Sequence, residues 1–196
     1  MEKKRCPWAL SDELYIRYHD REWGRPLKNN RKLFELLILE GAQAGLSWHT
    51  ILKRREGYRE AFDGMDPETM ARYTERDIRR LMQDTRIIRN RRKIESAAGN
   101  ARAYLRMMEG PLSFSQWLWN WVDGKPVINR FTTMGEVPPF TPLSETISRE
   151  MKKRGFSFVG PRIVYALLQS AGLVNDHLVD CFRHPDCAEQ ASRLAP

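Results

Sequence analysis

The sequence predicts an all-α protein, because apolar residues recur at helical spacing along most of its 196 residues. Two further observations support this fold class. Helix-capping residues precede several of the apolar stripes, and no run of alternating apolar and polar residues extends beyond four positions. Hydrophobic residues make up 41% of the chain and charged residues 30%. We therefore expect an ordered globular protein built almost entirely from helices.

Two predicted helices lie on either side of a Gly-Leu-Ser break in the first third of the chain. The first carries an apolar stripe that also contains one acid, at Leu33, Leu37, Glu40 and Ala44. The second is predicted over residues 48–62, with Ser47 as its N-cap. Glycines at 41 and 45 mark the break as a place where the backbone can approach a ligand closely.

The middle of the chain contains four more helix signals. Asp66-Pro67 and the capping box formed by Thr74 and Asp77 predict two helix starts. A long helix is predicted over residues 87–108, and a tryptophan-rich helix is predicted to end at Gly124.

A proline-rich segment over residues 125–144 separates this part from two C-terminal helices. We expect it to pack on one domain and not to act as a linker, because it carries four apolar anchors, Val127, Ile128, Phe131 and Phe140. The helices are predicted over residues 144–154 and 161–172, joined by the tight connection RGFSFVG. The domain prediction is one all-helical domain over residues 1–187, in two lobes, with a tail over residues 188–196.

The charge of the chain favours a polyanionic partner. The net charge is +8 with a pI near 9.6, and four basic clusters are interleaved with apolar residues at helical spacing, at residues 53–59, 76–80, 86–93 and 152–156. Most of these charges also suit the solvated faces of helices. No stretch approaches the length of a membrane span, and the N-terminus lacks the apolar region of a secretory signal. We expect a cytoplasmic protein with no membrane partner.

Histidine and cysteine spacing predicts a metal site. His177 and Cys181 are four residues apart, which would place them on one face of a helix and supply half of a tetrahedral shell. Cys6 and His19 complete a Cys2His2 set, whose closed shell would have a structural role. His49, His184 and Cys187 remain alternatives, and spacing alone also permits a buried thiol beside a histidine without a metal.

Glu40 is the candidate functional acid, because its stripe predicts a carboxylate on the apolar face, where an unpaired charge is strongly unfavourable. Such an acid either lines a pocket or is neutralised by an arginine or by helix-end backbone groups. Aromatic residues cluster nearby in the sequence, at Trp8, Tyr15, Tyr18, Trp23 and Trp48. A planar base held between Tyr18 and Trp48, with a carboxylate at its polar edge, would match the recognition of an extruded nucleobase.

Several long motifs in fixed order closely resemble the 3-methyladenine DNA glycosylase I family. They are CPWALSDELYIRYHDREWG, LFELLILEGAQAGLSW, IIRNRRKIESAAGNARAYL, MKKRGFSFVGPRIVYALLQSAGLVNDH and HLVDC, and they extend from Cys6 to Cys181. The resemblance implies a helix-hairpin-helix DNA glycosylase fold in which a structural Zn²⁺ joins the N- and C-terminal segments. It also implies the zinc ligands, which are Cys6, His19, His177 and Cys181, and so disfavours His184 and Cys187.

The same resemblance implies the roles of the remaining site residues. Glu40 is expected to be the catalytic acid residue that recognises the base, with Tyr18 and Trp48 stacking on it and Trp8, Tyr15 and Trp23 lining the neighbourhood. The hairpin falls on FSFVGPR, where Gly160 and Arg162 are expected to contact a DNA phosphate. Asp176 is expected to orient a zinc ligand. Arg162 cannot form a Schiff base, so a hydrolase without lyase activity is expected.

The predicted function is therefore excision of 3-methyladenine from alkylated double-stranded DNA by a monomeric repair enzyme that hydrolyses the N-glycosidic bond. An ionised Glu40 is expected to favour the cationic lesion over normal adenine. The alternative is a zinc-stabilised helix-hairpin-helix module that binds DNA without cleaving it. A zinc deaminase is disfavoured, because the sequence lacks its His-x-Glu and Pro-Cys-x-x-Cys motifs.

Overall fold

The computed structural model describes the backbone of residues 3–192 and the side chains of residues 3–187. Ten α-helices account for most of this part of the chain: α1 Glu13–Arg21, α2 Asn30–Gln43, α3 Trp48–Ala61, α4 Pro67–Ala71, α5 Glu75–Gln83, α6 Arg91–Met108, α7 Phe114–Asn120, α8 Pro142–Lys153, α9 Pro161–Ser170 and α10 Arg183–Ser192. Short 3₁₀ turns lie at Pro7–Ser11, Asp63–Met65 and Met134–Glu136. The predicted, mostly helical fold is confirmed.

Side-chain caps fix the starts of three helices where the sequence predicts them. The Ser47 hydroxyl accepts a hydrogen bond of 3.2 Å from the amide of Thr50 at the start of α3. Asp66 accepts a hydrogen bond of 2.9 Å from the amide of Thr69 in α4, and Thr74 forms the predicted capping box at α5.

Two helices are shorter than predicted. Helix α6 begins at Arg91 and not at residue 87, because the side chain of Asn90 caps it by accepting a hydrogen bond from the amide of Lys93. Helix α7 ends at Asn120, four residues before Gly124. Asp123 and Gly124 both have left-handed backbone angles, with φ of 50° and 73°, and this ends the helix earlier.

The structure contains two short strands that the sequence did not indicate. Strands β1 (Val127–Ile128) and β2 (Val174–Asn175) pair in parallel. Two residues are too few for an alternating pattern to be visible in the sequence. The anchoring of this segment also differs from the prediction, because Val127, Ile128 and Phe140 are among the exposed large hydrophobic residues.

Backbone pairing and one aromatic side chain hold the proline-rich segment on the domain. The amide of Val127 donates to the carbonyl of Leu173 at 2.9 Å, and the amide of Val179 donates to the carbonyl of Phe131 at the same distance. The ring of Phe131 packs, partly buried, against Cys6, Leu178 and Cys181.

Helix α2 lies at the centre of the core and packs against α3, α6, α7 and α9. Its predicted apolar stripe is buried: Leu33 and Leu37 are at most 1% exposed, and Glu40 is 1% exposed on the same face. The carboxylate of Glu40 is therefore buried near the C-terminal end of α2.

The connection between α8 and α9, residues 154–160, is held tightly by buried polar groups. The side chain of Asn100 in α6 donates to the carbonyl of Ser157 at 3.0 Å and accepts from its amide at 2.8 Å. The hydroxyl of Ser148 donates to the carbonyl of Val159 at 2.6 Å. These bonds fix the hairpin that precedes Gly160, the N-cap of α9.

None of the helices in the described part of the chain is long and apolar enough to cross a membrane. Helix α10 continues to Ser192, past the predicted domain boundary at residue 187. The rest of the predicted tail, residues 193–196, lies outside the described residues, so the division at 187 stays a prediction.

We predict that Gly172→Ala destabilises the protein by about 3 kcal/mol or more. Gly172 has a φ of 69°, and an added Cβ would lie 2.3 Å from the carbonyl carbon of Arg25, which is backbone and cannot rotate away. The free energy of unfolding from a urea titration would measure the loss.

Gly124→Ala is the matched control. Gly124 has a similar φ of 73° but nothing within 4 Å of the added Cβ. The free energy of unfolding of Gly124→Ala should fall by only about 1 kcal/mol, because a residue with a Cβ is disfavoured in the left-handed conformation. Equal losses in the two variants would show that the close approach to residues 25 and 26 contributes nothing.

Candidate functional site

The carboxyl of Glu40 is buried, with one oxygen bound and one free. Oε1 accepts a hydrogen bond of 2.8 Å from the hydroxyl of Ser170. Oε2 has no partner among the side chains and backbone that the structure describes. Burial raises the pKa of Glu40 to about 8, although the hydrogen bond from Ser170 acts in the opposite direction. The free protein therefore holds this group mostly protonated at neutral pH.

Glu40 lines a cavity of about 330 Å³, and so does every aromatic residue that the sequence analysis selected. The side chains come from the four helices α1, α2, α3 and α9 and from four stretches outside them. The lining consists of Trp8, Tyr15, Tyr18, Trp23, Glu40, Gln43, Trp48, Met134, Val137, Pro138, Pro139, Arg162, Tyr165, Ala166, Gln169, Ser170 and Asp176. No arginine or lysine side chain that the structure describes bonds to Glu40. The alternative in which an arginine neutralises this acid is wrong.

Trp48 brings an unpaired donor to the same cavity. Its indole Nε1 is buried and has no hydrogen-bond partner within the described residues. Two residues that line the cavity thus each carry a buried polar atom without a partner among the described residues, Oε2 of Glu40 and Nε1 of Trp48. Buried polar groups are seldom left without partners unless they serve a ligand or water. The sequence predicts only a stacking role for Trp48 and does not indicate this donor.

The rings of Tyr18 and Trp48 do not form an open slot in this conformation. Their centroids are 5.5 Å apart and their planes are inclined at 44°. A base held between two parallel rings needs about 7 Å between them, since each aromatic contact takes about 3.5 Å. The two rings therefore leave no room for a base between them in this conformation, and a base would contact their exposed parts or separate them. The stacking of a bound base between Tyr18 and Trp48 stays a prediction.

The remaining aromatic residues form one wall of the cavity. The ring of Trp8 makes edge contacts with Tyr15 and Trp23, each with centroids 5.0 Å apart. His49 stacks on the outer face of Tyr15 at 5.0 Å, and its Nε2 bonds to Asp12, the N-cap of α1. His49 thus supports the wall and takes no part in the metal cluster described next.

Cys6, His19, His177 and Cys181 form a buried cluster that could hold a metal ion. Their four ligand atoms lie within 4.8 Å of one another. The Sγ of Cys181 is 3.4 Å from Nε2 of His19 and 3.6 Å from Nδ1 of His177. The Sγ of Cys6 is 3.7 Å from the same Nδ1. Bonds from Cys6, His177 and His19 hold the pKa of the Cys181 thiol well below its usual range, so the cluster contains a thiolate.

The cluster reaches this geometry without the predicted helix. Residues 177–181 form a turn, in which the amide of Cys181 donates to the carbonyl of Leu178 at 2.8 Å. The outer nitrogens of both histidines are also bound: Nδ1 of His19 pairs with Asp20 at 2.8 Å, and Nε2 of His177 is 3.2 Å from the carbonyl of Trp23. These contacts turn Nε2 of His19 and Nδ1 of His177 toward the thiols.

The rival pair lies outside this cluster. His184 Nε2 is 2.8 Å from the carbonyl of Asn129, and Cys187 accepts a hydrogen bond of 3.5 Å from Arg183. Over residues 3–187, the only group with metal-ligand geometry is the four-residue cluster.

Comparison with known proteins gives the family of the chain. The methyladenine glycosylase family profile matches residues 8–184. The chain belongs to the methyladenine glycosylase family. It is 49% identical to DNA-3-methyladenine glycosylase 1 of Escherichia coli strain K12 over 182 residues, which cover 93% of this chain and 97% of that protein.

Solved structures of this family agree with the fold. A crystal structure of 3-methyladenine DNA glycosylase I, 49% identical, superposes with a TM-score of 0.91 and covers 93% of this chain and 100% of that one. A Tyr-to-Phe variant of 3-methyladenine DNA glycosylase I in complex with 3-methyladenine, 39% identical, has a TM-score of 0.89 and covers 92% of this chain and 97% of that one.

Within this methyladenine glycosylase fold, the hairpin residues lie beside the same cavity. Gly160 caps α9, and an added Cβ there would meet nothing within 4 Å, so its backbone is accessible. Arg162 follows in the first turn of α9, is exposed, and lines the cavity. Of the two predicted DNA-contacting residues, Arg162 thus lines the cavity that contains Glu40, and Gly160 lies two residues before it at the start of α9.

The predicted role of Asp176 is wrong. Asp176 bonds to neither histidine of the cluster. Its carboxylate accepts hydrogen bonds from Asn129 at 2.6 Å, from Gln169 at 2.7 Å, and from the hydroxyl of Tyr165. It therefore ties α9 to the proline-rich segment and lines the cavity, while Asp20 and the carbonyl of Trp23 orient the histidines.

Four cavity residues on α9 were not predicted from the sequence: Tyr165, Ala166, Gln169 and Ser170. Ser170 ends this helix and bonds directly to Glu40. The hydrophobic pattern of residues 161–172 gave no reason to select any of the four. The pairing of Ser170 with Glu40, 130 residues away in the chain, is a property of the tertiary structure alone.

We predict that Glu40→Gln becomes more stable relative to the wild type as the pH rises from 5 to 8.5. The folded-state pKa of about 8 lies above 4.5, the ordinary pKa of a glutamate in the unfolded chain. Folding therefore favours the protonated acid. The resulting stability is present below about pH 4.5 and is lost as pH rises through about 8. The difference in free energy of unfolding should change by about 3 to 5 kcal/mol across this range.

Denaturant titrations of both proteins at pH 5 and pH 8.5 would measure this change, since the other titrating groups cancel in the difference. Glu136→Gln is the control, because Glu136 is exposed and its folded-state pKa is lowered by hydrogen bonds from Thr132. A difference for Glu40→Gln that stays constant with pH would contradict the burial of an ionisable group at this position.

Proposed function

We propose that the protein is a DNA repair glycosylase that excises 3-methyladenine from alkylated DNA by hydrolysing the N-glycosidic bond. The observation that carries this proposal is the buried carboxyl of Glu40, whose Oε2 has no partner among the described residues, on a residue that lines an aromatic cavity. A flipped adenine derivative carries an exocyclic amino group, and this donor can satisfy Oε2 while the base contacts the aromatic rings.

Base recognition in this proposal relies on Glu40 and on the rings around it. The amino group of the base donates to Oε2 of Glu40, and the apolar faces of Tyr18 and Trp48 contact the ring. Trp8, Tyr15 and Trp23 close the far side of the cavity and exclude water. Exclusion of water strengthens the attraction between the carboxylate and a positively charged base.

The charge of the lesion explains the role of the acid. An adenine methylated at N3 is cationic in DNA, so its glycosidic bond is already weakened and the base leaves as a neutral molecule. The carboxyl of Glu40, mostly protonated in the free protein, releases its proton to solvent when the cation enters, because an opposite charge at close range lowers the pKa. The electrons of the glycosidic bond leave with the base and neutralise its charge, and water bonds to the sugar carbon and releases one proton to solvent. No lysine lines the cavity, and Arg162 cannot form a Schiff base, so no lyase step follows.

Double-stranded DNA is the proposed macromolecular partner, held at the hairpin between α8 and α9. This element would act as the helix-hairpin-helix motif, with the amides that follow Gly160 and the guanidinium of Arg162 contacting one phosphate. Arg162 lines the same cavity as Glu40, so a nucleotide flipped from the bound duplex would enter beside Glu40. The net charge of +8 favours the association.

Zinc is the proposed occupant of the Cys2His2 cluster. A tetrahedral zinc with bonds of about 2.3 Å to sulfur and 2.0 Å to nitrogen places its sulfur and nitrogen ligands about 3.5 Å apart. The three sulfur–nitrogen distances of 3.4 to 3.7 Å fit this value. Two thiolates and two imidazoles close the shell, so the ion would join residues 6–19 to residues 177–181 and have no part in catalysis. The cytoplasmic location and the monomeric state stay predictions.

We predict that Glu40→Gln loses most excision activity, by about 100-fold or more, because a neutral amide cannot attract the cation. The measurement is release of free 3-methyladenine from methylated duplex DNA, separated by liquid chromatography. Glu35→Gln is the control: Glu35 lies on the same helix but pairs with Arg59 and does not line the cavity.

Wild-type activity in Glu40→Gln would refute the recognition role of this carboxyl. The non-catalytic DNA-binding module makes the opposite prediction for the wild type, which would then bind the alkylated duplex tightly and release no base.

We predict that Cys6→Ala lowers the zinc content and the melting temperature together, because the ion ties distant segments of the chain. Cys187→Ala is matched to it: this thiol is also buried but lies outside the cluster, so it should keep about one zinc per chain. Mass spectrometry of the metal and thermal unfolding would measure both effects. A wild-type protein without bound metal, or equal losses in both variants, would contradict the proposed zinc site.

A further inference from the structure

We propose that Ser170 is a positioning residue that fixes the Glu40 carboxylate and leaves only Oε2 available to the base. This inference rests on the proposed function and adds a residue that determines specificity. Ser170 touches no reacting atom in this scheme, because it acts through Glu40.

The hydroxyl of Ser170 lies between two residues of the cavity. It donates to Oε1 of Glu40 at 2.8 Å and accepts from the hydroxyl of Tyr18 at 3.1 Å. Ser170 is only 9% exposed, and no other donor bonds to Oε1. A serine hydroxyl has a single proton, so the proton given to the ionised Glu40 cannot also be given to Tyr18. The chain of bonds therefore has one direction, from Tyr18 through Ser170 to Glu40.

This chain of bonds makes the two carboxylate oxygens inequivalent. Oε1 is occupied, whereas Oε2 is buried and has no partner among the described residues. Rotation about the terminal bond of a glutamate is otherwise soft, so an untethered carboxylate could present either oxygen at a range of angles. The Ser170 hydroxyl removes this freedom before the base arrives, which lowers the entropic cost of binding.

Ser170 also connects base recognition to the element proposed to bind DNA. It is the last residue of α9, and the first turn of that helix follows the hairpin at Gly160. A single ten-residue helix thus carries Arg162 at one end and the tether of Glu40 at the other. If the hairpin moves when it binds DNA, α9 would move with it as a rigid unit, and Ser170 would shift the carboxylate of Glu40.

Five other ionisable side chains line the cavity beside Glu40. They are Tyr15 and Tyr18 on α1, Arg162 and Tyr165 on α9, and Asp176 after β2; α3 presents no charged group to the cavity. None of them donates a hydrogen bond to Glu40. The direct hydrogen bond from Ser170 is what lowers the pKa of Glu40 against the effect of burial.

The test compares wild type, Ser170→Ala and Ser170→Thr by two measurements. The first is the titration midpoint of Glu40 in the free protein, from NMR of ¹³C-labelled glutamate side chains. The second is the affinity for free 3-methyladenine from quenching of tryptophan fluorescence. Ser96→Ala is the control, because Ser96 also makes one side-chain hydrogen bond, to the carbonyl of Lys93, and lines no part of the cavity.

We expect Ser170→Ala to raise the Glu40 midpoint and to bind 3-methyladenine about tenfold more weakly, since it loses one hydrogen bond to a charged group. Ser170→Thr should restore both values, and Ser96→Ala should change neither. An unchanged midpoint and affinity in Ser170→Ala would overturn the positioning role. That result would follow if water from the second cavity that Ser170 lines, near Arg21, replaced the hydroxyl.

The titration separates this inference from the proposed function. If the wild type releases no base from alkylated DNA, the glycosylase proposal fails, and the NMR midpoint still tests the tether. If the wild type is active but Ser170→Ala keeps wild-type midpoint and affinity, the tether alone is refuted.

Discussion

The burial of one carboxyl without a charged partner is the constraint on which the site depends. Glu40 occupies a core-facing position on the central helix, where any apolar side chain would be more stable. Its environment supplies one hydrogen bond, from Ser170, and no cation. The protein therefore maintains an unfavourable group at a cavity that six aromatic residues also line. Stability alone does not explain this arrangement, whereas a ligand with a positive charge and an amino group does.

Contacts elsewhere in the fold fix the relative positions of the residues that line this cavity. The Cys2His2 cluster brings residues 6 and 19 of the N-terminal segment together with residues 177 and 181 of the C-terminal segment. His177 contacts the backbone of Trp23, and His19 directly follows Tyr18, so metal binding would fix two cavity residues through their neighbours. Asp176 connects α9 to the proline-rich segment that closes the other side. The long-range contacts of the structure thus converge on one pocket.

The sequence predicted what is encoded in local patterns. The stripe containing Leu33, Leu37 and Glu40 indicated a buried acid, and capping residues located the starts of α3, α4 and α5. Patterns of this kind could not reveal Ser170, which reaches Glu40 only because α9 packs against α2. They also missed the two short strands, the turn at residues 177–181, and the actual partners of Asp176. The strand pairing and the bond between Asn129 and Asp176 join segments distant in the chain. The turn is local, but a four-residue spacing of histidine and cysteine does not distinguish it from a helix. The metal ligands were a partial exception: their residue types were visible in the sequence, but the choice among them came from the family resemblance.

The raised pKa of Glu40 gives a physical basis for selecting a cationic base. With a pKa of about 8, ionising the carboxyl at pH 7 costs about 1.4 kcal/mol, because one pH unit separates the two values. A unit positive charge about 4 Å away repays about 4 kcal/mol at an effective dielectric constant of 20. A cationic methylated adenine therefore ionises the acid with a net gain. Normal adenine is neutral and offers no such attraction, so it meets a largely protonated acid and retains a stable glycosidic bond. The preference for methylated adenine over normal adenine then follows from the free energy that it costs to bury one unpaired charge. The aromatic rings contribute because they limit the access of water to the carboxyl and so keep this free energy high.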